Sequence, residues 1–357
     1  MAAACFFPAW ALDAEVNKTS PFRLQHSVQT GLEYDSNVYR TFQAKRDDIL
    51  LRALLKQKGT YAFHDRAQLG WIYQLGGKKY FEESGQDTLI QSLEVPLMVN
   101  LTDVLGLGLT QDFKLQLEDG DVDAAAGDVN EDYLSYSVRF HPRLSPREWT
   151  WLRIEPSGSF SYFDFSPAPN FSFMRQSLGL RLQYNLGSQV SATTSYSYSL
   201  QQFYNTNRDD SDHLVSVGLA RLGDLYSSIS YAYEANRSSL TGFSFDRHQI
   251  ATVLSYTFGQ HGSTQGEAQE GRYGIHLLGT LQLRSLPAVY NFDAEGQRFL
   301  LTGAEDENFN SLVLKLTYHL RHYLAFEGKI TRYSNEFSKL QGGFARVMAY
   351  LGVRGSF

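Results

Sequence analysis

Walking back from Phe357 two residues at a time gives Gly355, Val353, Leu351, Ala349, Val347 and Ala345. Between them stand Ser356, Arg354, Gly352, Tyr350, Met348 and Arg346. Because a β-strand turns successive side chains to opposite faces, this segment has one apolar face and one largely polar face. The alternation recurs along the whole chain. Over 104–117, Leu105, Leu107, Leu109, Phe113 and Leu115 share one face, and Gly106, Gly108, Thr110, Asp112, Lys114 and Gln116 the other. A soluble sheet can alternate too, but repetition from end to end in segments of about ten residues is what a transmembrane β-barrel needs, with lipid outside and water inside.

Composition narrows the choice. Apolar residues make up 43% of the chain, yet no run approaches the roughly 18 to 20 apolar residues that a spanning helix needs. Aromatics reach 14%, with 22 Tyr and 24 Phe, as expected where aromatic girdles mark two membrane interfaces. A net charge of −6 provides no basic stripe for phosphates, which argues against nucleic acid as a partner.

Counting the alternating segments predicts an all-β, antiparallel up-and-down transmembrane barrel of about sixteen strands, with fourteen or eighteen left open by the polar Gly259–Glu270 connection. Segments 48–58 and 60–73 are expected to meet at a turn over Lys58–Thr60, and 309–320 and 322–333 at Arg321 and His322. Tight connections alternate with long polar ones, and an even strand count puts both termini in the periplasm. The Ser285–Asn308 connection either extends its hairpin or folds inward as a constriction. Residues 1–11, MAAACFFPAWA, read as the remnant of an export signal. That leaves 12–357 as a single domain without cysteine.

No G-x-S-x-G, H-E-x-x-H, C-x-x-C or phosphate-cradling glycine loop is present, and the histidines are scattered. A Ser, His and acid could still converge from separate strands, with His276 near Thr280, or His319 near Thr317 and Ser311. Histidines in a solvated wall are the plainer expectation, and the chain is read as a non-enzyme without cofactor or metal. The inward faces are more telling. Ser191, Thr193, Ser195, Ser197 and Ser199 form a small polar wall suited to water. Arg139, Arg153, Arg181, His319 and Arg354 fall toward the periplasmic end, with Lys315 and Arg346 nearer mid-depth, as a basic zone able to attract anions. The alternative is that these cations pair with Glu155, Asp112, Glu118, Glu327 and Glu33 within the wall. The outer loops are acidic, above all at Asp119, Asp121, Asp123 and Asp128. Divalent cations shared with lipopolysaccharide phosphates would offset that charge, or the loop is simply solvated.

Two segments carry a resemblance. The terminal strand, with Leu351, Val353 and Phe357, resembles the assembly signal of bacterial outer-membrane proteins, which implies the barrel assembly machinery as a partner. Gly31-Leu-Glu-Tyr-Asp-Ser-Asn-Val-Tyr-Arg40 resembles the "YDSNV" segment of a group of outer-membrane β-barrels often associated with exopolysaccharide secretion or surface-protein export. Its Tyr34, Asp35 and Asn37 then imply a barrel set in an export machine with periplasmic export or scaffold proteins. From the residues alone, Asp35 and Asn37 fit an Asx turn leaving a strand. The expected function is an outer-membrane channel, the outer component of an export system for polysaccharide or another polar polymer. A general diffusion porin, or a structural barrel anchoring or sheathing a trans-envelope complex, shares the same features.

Overall fold

The computed structural model describes residues 21–38, 45–63, 66–118, 132–146, 148–165, 172–204, 206–240, 243–259, 272–285, 290–292, 298–300, 308–336 and 344–357. The expected export signal (1–11) and the acidic residues Asp119, Asp121, Asp123 and Asp128 lie outside the described residues. The first nine strands are β1 (Phe22–Asp35), β2 (Asp48–Phe63), β3 (Ala67–Tyr80), β4 (Thr88–Asn100), β5 (Leu105–Glu118), β6 (Tyr133–Leu144), β7 (Leu152–Phe165), β8 (Phe173–Asn185) and β9 (Val190–Phe203). Next come β10 (Asp209–Arg221), β11 (Leu225–Ser238), β12 (Phe245–Phe258), β13 (Tyr273–Ser285), β14 (Tyr290–Phe292), β15 (Arg298–Leu300), β16 (Asn308–Arg321), β17 (Leu324–Glu336) and β18 (Phe344–Ser356). Sixteen of them close one antiparallel ring, each bonded to its chain neighbour, with β16 following β13 and β18 returning to β1. The two short strands β14 and β15 pair separately within the 286–307 connection. The ring thus settles the strand number at sixteen, with β13 paired directly to β12; residues 260–270 of the polar connection between them lie outside the described residues.

Alternation decides which way each side chain points. Leu351, Leu178, Ile330 and Leu32 are 71, 70, 54 and 52% exposed on the outer face, while inward Glu33, Asp35, Glu327 and Thr331 are almost completely buried. That is the reverse of a soluble fold, and only a hydrocarbon surrounding makes it favourable. Aromatic contacts girdle the outside at the end where connections are tight: Trp149 with Trp151 (6.5 Å), Trp151 with Tyr184 (6.1 Å), Phe258 with Tyr273 (5.2 Å) and Tyr273 with Tyr318 (5.3 Å). Toward the opposite, loop end, Tyr196 shares a hydrogen bond with His213 Nδ1 (2.9 Å) and Tyr231 one with His248 Nδ1 (2.8 Å), giving each outward ring a polar anchor.

One sequence expectation fails here. Lys58, Gly59 and Thr60 do not turn; β2 runs through them to Phe63, and the reversal to β3 follows it. Gly59 faces Trp71 across the ladder. A Cβ on Gly59 would lie only 1.9 Å from an indole carbon. The glycine therefore serves close approach, letting the Trp71 ring lie flat on β2, and not a change of chain direction.

The ring closes where the chain's ends meet. Phe357 and His26 exchange backbone hydrogen bonds, each 2.8 Å, and the register continues through Arg354 opposite Gln29, Gly352 opposite Gly31 and Met348 opposite Asp35. Leu351 and Phe357, at 71 and 75% exposure, belong to the outer face together with Val353. Replacing Leu351 by Arg should cost about 2–4 kcal/mol near the bilayer midplane, less toward the interface. Urea unfolding in lipid vesicles checks this, with Leu351→Met expected to stay within about 1.5 kcal/mol of the parent.

Candidate functional site

The inner face of strands β16–β18 and β1–β3 brings together residues far apart in sequence. Glu33, wholly buried, accepts from Arg52 (3.1 Å) and Lys78 (3.0 Å). Glu327, 2% exposed, meets Lys315 (2.8 Å), Arg354 (3.4 Å) and the Gln29 amide (2.6 Å). Lys329 lies across the ladder from Lys315 on one side and Tyr350 on the other, and it has no ion-pair partner among the described residues. Further along β2, Lys56 and Lys58 share the inward face with Arg52, likewise without an ion pair among the described residues. Cations outnumber carboxylates on this wall, so it keeps a net positive charge after internal pairing.

Closure of the barrel is tied to the same chemistry. Arg346 Nε donates to Asp35 Oδ1 (2.8 Å) and Oδ2 (3.0 Å), its Nη2 reaches the same carboxylate, and both residues are buried. Arg346 is three residues into β18 from its loop end, so it works as a clamp at that rim rather than as a free charge at mid-depth. Asp35 Oδ1 also accepts from the Asn37 backbone N–H (3.1 Å), an Asx turn. Val38 then packs on Leu50 and Tyr80, and the Tyr34 hydroxyl donates to Asp47 from the outer face. The YDSNV-like segment thus has a complete structural use: it ends β1, seals the seam and seeds a small apolar cluster.

The remaining sequence candidates spread over the ring. Arg139 pairs in register with Ser159 and Thr110, Arg153 with Gln183, and Arg181 with Glu155 and Ser195, all on the wall opposite the seam. Only Lys315 and Arg354 of the predicted zone meet at one carboxylate, with His319 four residues beyond Lys315 on β16. Arg52, Lys78 and Lys329 were not singled out in the sequence, although each stands at an inward position of its strand. The signal that could have found them is the joining of the first and last hairpins, because a barrel's ends must meet. Opposite them stretches a wall of hydroxyls, with Ser177 against Ser199 (2.9 Å) and Ser195 against Ser216 (2.6 Å). Side chains that short do not themselves fill the lumen on that side.

His276 contacts Ser255 (2.7 Å), not Thr280. The pair is one of several hydroxyl–imidazole contacts, Thr110 with His141 (3.1 Å) among them, and no carboxylate hydrogen-bonds His276 among the described residues. A triad needs that third group to hold the ring.

No protein-family model matches the chain, and no curated protein matches it in sequence. Solved structures do share its shape. An anion-selective porin from Comamonas acidovorans is 12% identical, with a TM-score of 0.52 over 94% of this chain and 99% of that one. OccAB3 of Acinetobacter baumannii is 9% identical, with a TM-score of 0.46 over 94% and 99%. The first likeness establishes the fold, a porin-type antiparallel barrel.

The clamp yields a direct test. Asp35→Asn or Arg346→Leu strands the partner as a buried unpaired charge and should cost about 3–5 kcal/mol. The double replacement should recover part of that loss. Unfolding midpoints of the four proteins in lipid vesicles measure the coupling.

Proposed function

We propose that this chain is a bacterial outer-membrane pore, open to water, through which small polar solutes diffuse and anions pass preferentially. The carrying observation is the seam wall: Arg52, Lys78, Lys315, Lys329, Arg346 and Arg354 face Glu33, Asp35 and Glu327, with Lys56 and Lys58 continuing the positive field. A cation excess on a narrow polar wall raises the local concentration of anions. The anion selectivity named for the Comamonas porin agrees with this reading. A polymer-export role draws support only from the YDSNV-like segment, whose residues are already engaged in closing the ring, so diffusion is the reading we favour.

Reversal potential across a planar bilayer under a potassium chloride gradient tests it. The parent should favour chloride. Lys56→Glu combined with Lys329→Glu should move selectivity toward cations, most clearly at low salt, because each charge is screened within about 8 Å at physiological ionic strength. Neither lysine holds an ion pair among the described residues, so folding should be spared. A parent that does not conduct, or one that prefers cations, would overturn the proposal.

Orientation follows the lengths of the connections. We place the tight-turn end and both chain termini in the periplasm, with the loop end outside, facing lipopolysaccharide. A cysteine at Asp209 should react with an impermeant thiol reagent on intact cells and one at Gly187 should not; the opposite labelling would invert the barrel.

A further inference from the structure

Between Glu33 and Glu327 the seam wall is bare. On one register line Lys78, Arg52, Gly31, Gly352 and Glu327 follow one another across β3, β2, β1, β18 and β17. A Cβ at Gly31 or Gly352 would collide with Tyr350, whose side chain lies across both glycines. Tyr350 is only 4% exposed, and its hydroxyl donates to the Thr30 carbonyl (3.2 Å). Glycine at both positions is what lets the ring approach the backbone. No long side chain therefore rises from the middle of this line.

Cations stand on both sides of that floor. Arg52 and Lys78 share Glu33, and Lys315 and Arg354 share Glu327. The two carboxylates are buried, whereas the four cationic side chains keep 26 to 34% exposure. An ammonium or a guanidinium has more donors than one carboxylate contact uses, so each cation retains donors for a solute. Either set, two cations on one carboxylate, holds a net positive charge. Lys329 adds another on the Glu327 side, in register with Lys315 and with Tyr350. From the other side the Arg52 guanidinium comes to 5.7 Å from the Tyr350 centroid. The strands that carry the carboxylates, β1 and β17, have only β18 between them, which sets the two sets about 10 Å apart at ordinary strand spacing.

We propose that the seam wall is a two-point site for a small dianion whose negative groups are set apart by a short spacer, one group held by Arg52 and Lys78, the other by Lys315, Lys329 and Arg354. The inference rests on the anion-preferring wall proposed above and names the solute that this wall suits best. A monovalent anion satisfies one set of cations and leaves the other to water. A compact dianion brings both charges to one place, but each set is tethered to its own buried carboxylate and does not close on a single centre. A short dicarboxylate meets both sets at once, and each contact is charge-assisted.

Calorimetric titration of the detergent-solubilised barrel at low salt, with succinate, acetate and sulfate in turn, tests the site. Succinate should bind saturably and at least about tenfold more tightly than acetate or sulfate, a comparison that the parent alone supplies. Lys78→Gln and Lys329→Gln, one from each side, should each bring succinate toward the affinity of acetate. Glu33 keeps Arg52 in the first, and Lys329 holds no ion pair among the described residues, so both variants should fold, as heat-modifiable migration on a gel verifies. Arg139→Gln removes a charge from the opposite wall and should leave succinate affinity within about twofold, because distant charges are screened. No saturable heat with succinate, acetate or sulfate binding as tightly, or an equal loss in Arg139→Gln, overturns the proposal. Chloride preference in the bilayer without succinate binding would remove this site and leave the anion-pore reading standing; succinate binding by a barrel that does not conduct would do the reverse.

Discussion

A backbone N–H or C=O facing hydrocarbon finds no water, and each one left unpaired costs several kcal/mol. Every strand of this barrel escapes that cost only because the strand beside it does, around the ring to β1 and β18. The apolar outer face, the polar lumen and the even strand count all depend on this mutual satisfaction. So does the seam chemistry: the residues that close the ring, Asp35 with Arg346 and Glu327 with Arg354 and Gln29, also belong to the inner wall. Pairing at the seam consumes part of the wall's charge and leaves Lys329 and its neighbours with the remainder.

Much of the fold is readable from period-two alternation, because lipid is an unforgiving solvent and admits few polar residues on one face. The reading failed at Lys58–Thr60 for a definite reason. A glycine between polar residues reads as a turn, whereas Gly59 is small to receive Trp71, and that need appears only when β2 and β3 are set side by side. The seam wall was half legible: Lys315 and Arg354 could be named from their faces, but Arg52 and Lys78 gain meaning only beside Glu33 and across a junction that linear sequence conceals. Phe163, Phe173 and Phe203, which stand on inward positions near the loop end, were hidden by the abundance of aromatic residues, since in such a chain these are first credited to the girdles.

The two walls of the lumen are chemically unlike. Around the seam, charged groups are tied to one another; from β8 to β10, short hydroxyls bond in pairs across strands. The lumen therefore has its densest ion pairing around the seam, while the opposite wall sets Arg139, Arg153 and Arg181 among short hydroxyls.

The Arg346–Asp35 bond joins positions 311 residues apart. Nearly every other ladder contact links neighbouring hairpins, so this junction has the greatest sequence separation in the molecule and carries the heaviest loop-closure entropy. Hairpins can zip one after another along the chain, but the ring is completed only when its first and last strands meet. Until then both are open edges, and Asp35 and Arg346 are ionised groups without each other. The clamp rewards only the finished ring, which makes completion cooperative and gives a nearly closed barrel little stability of its own.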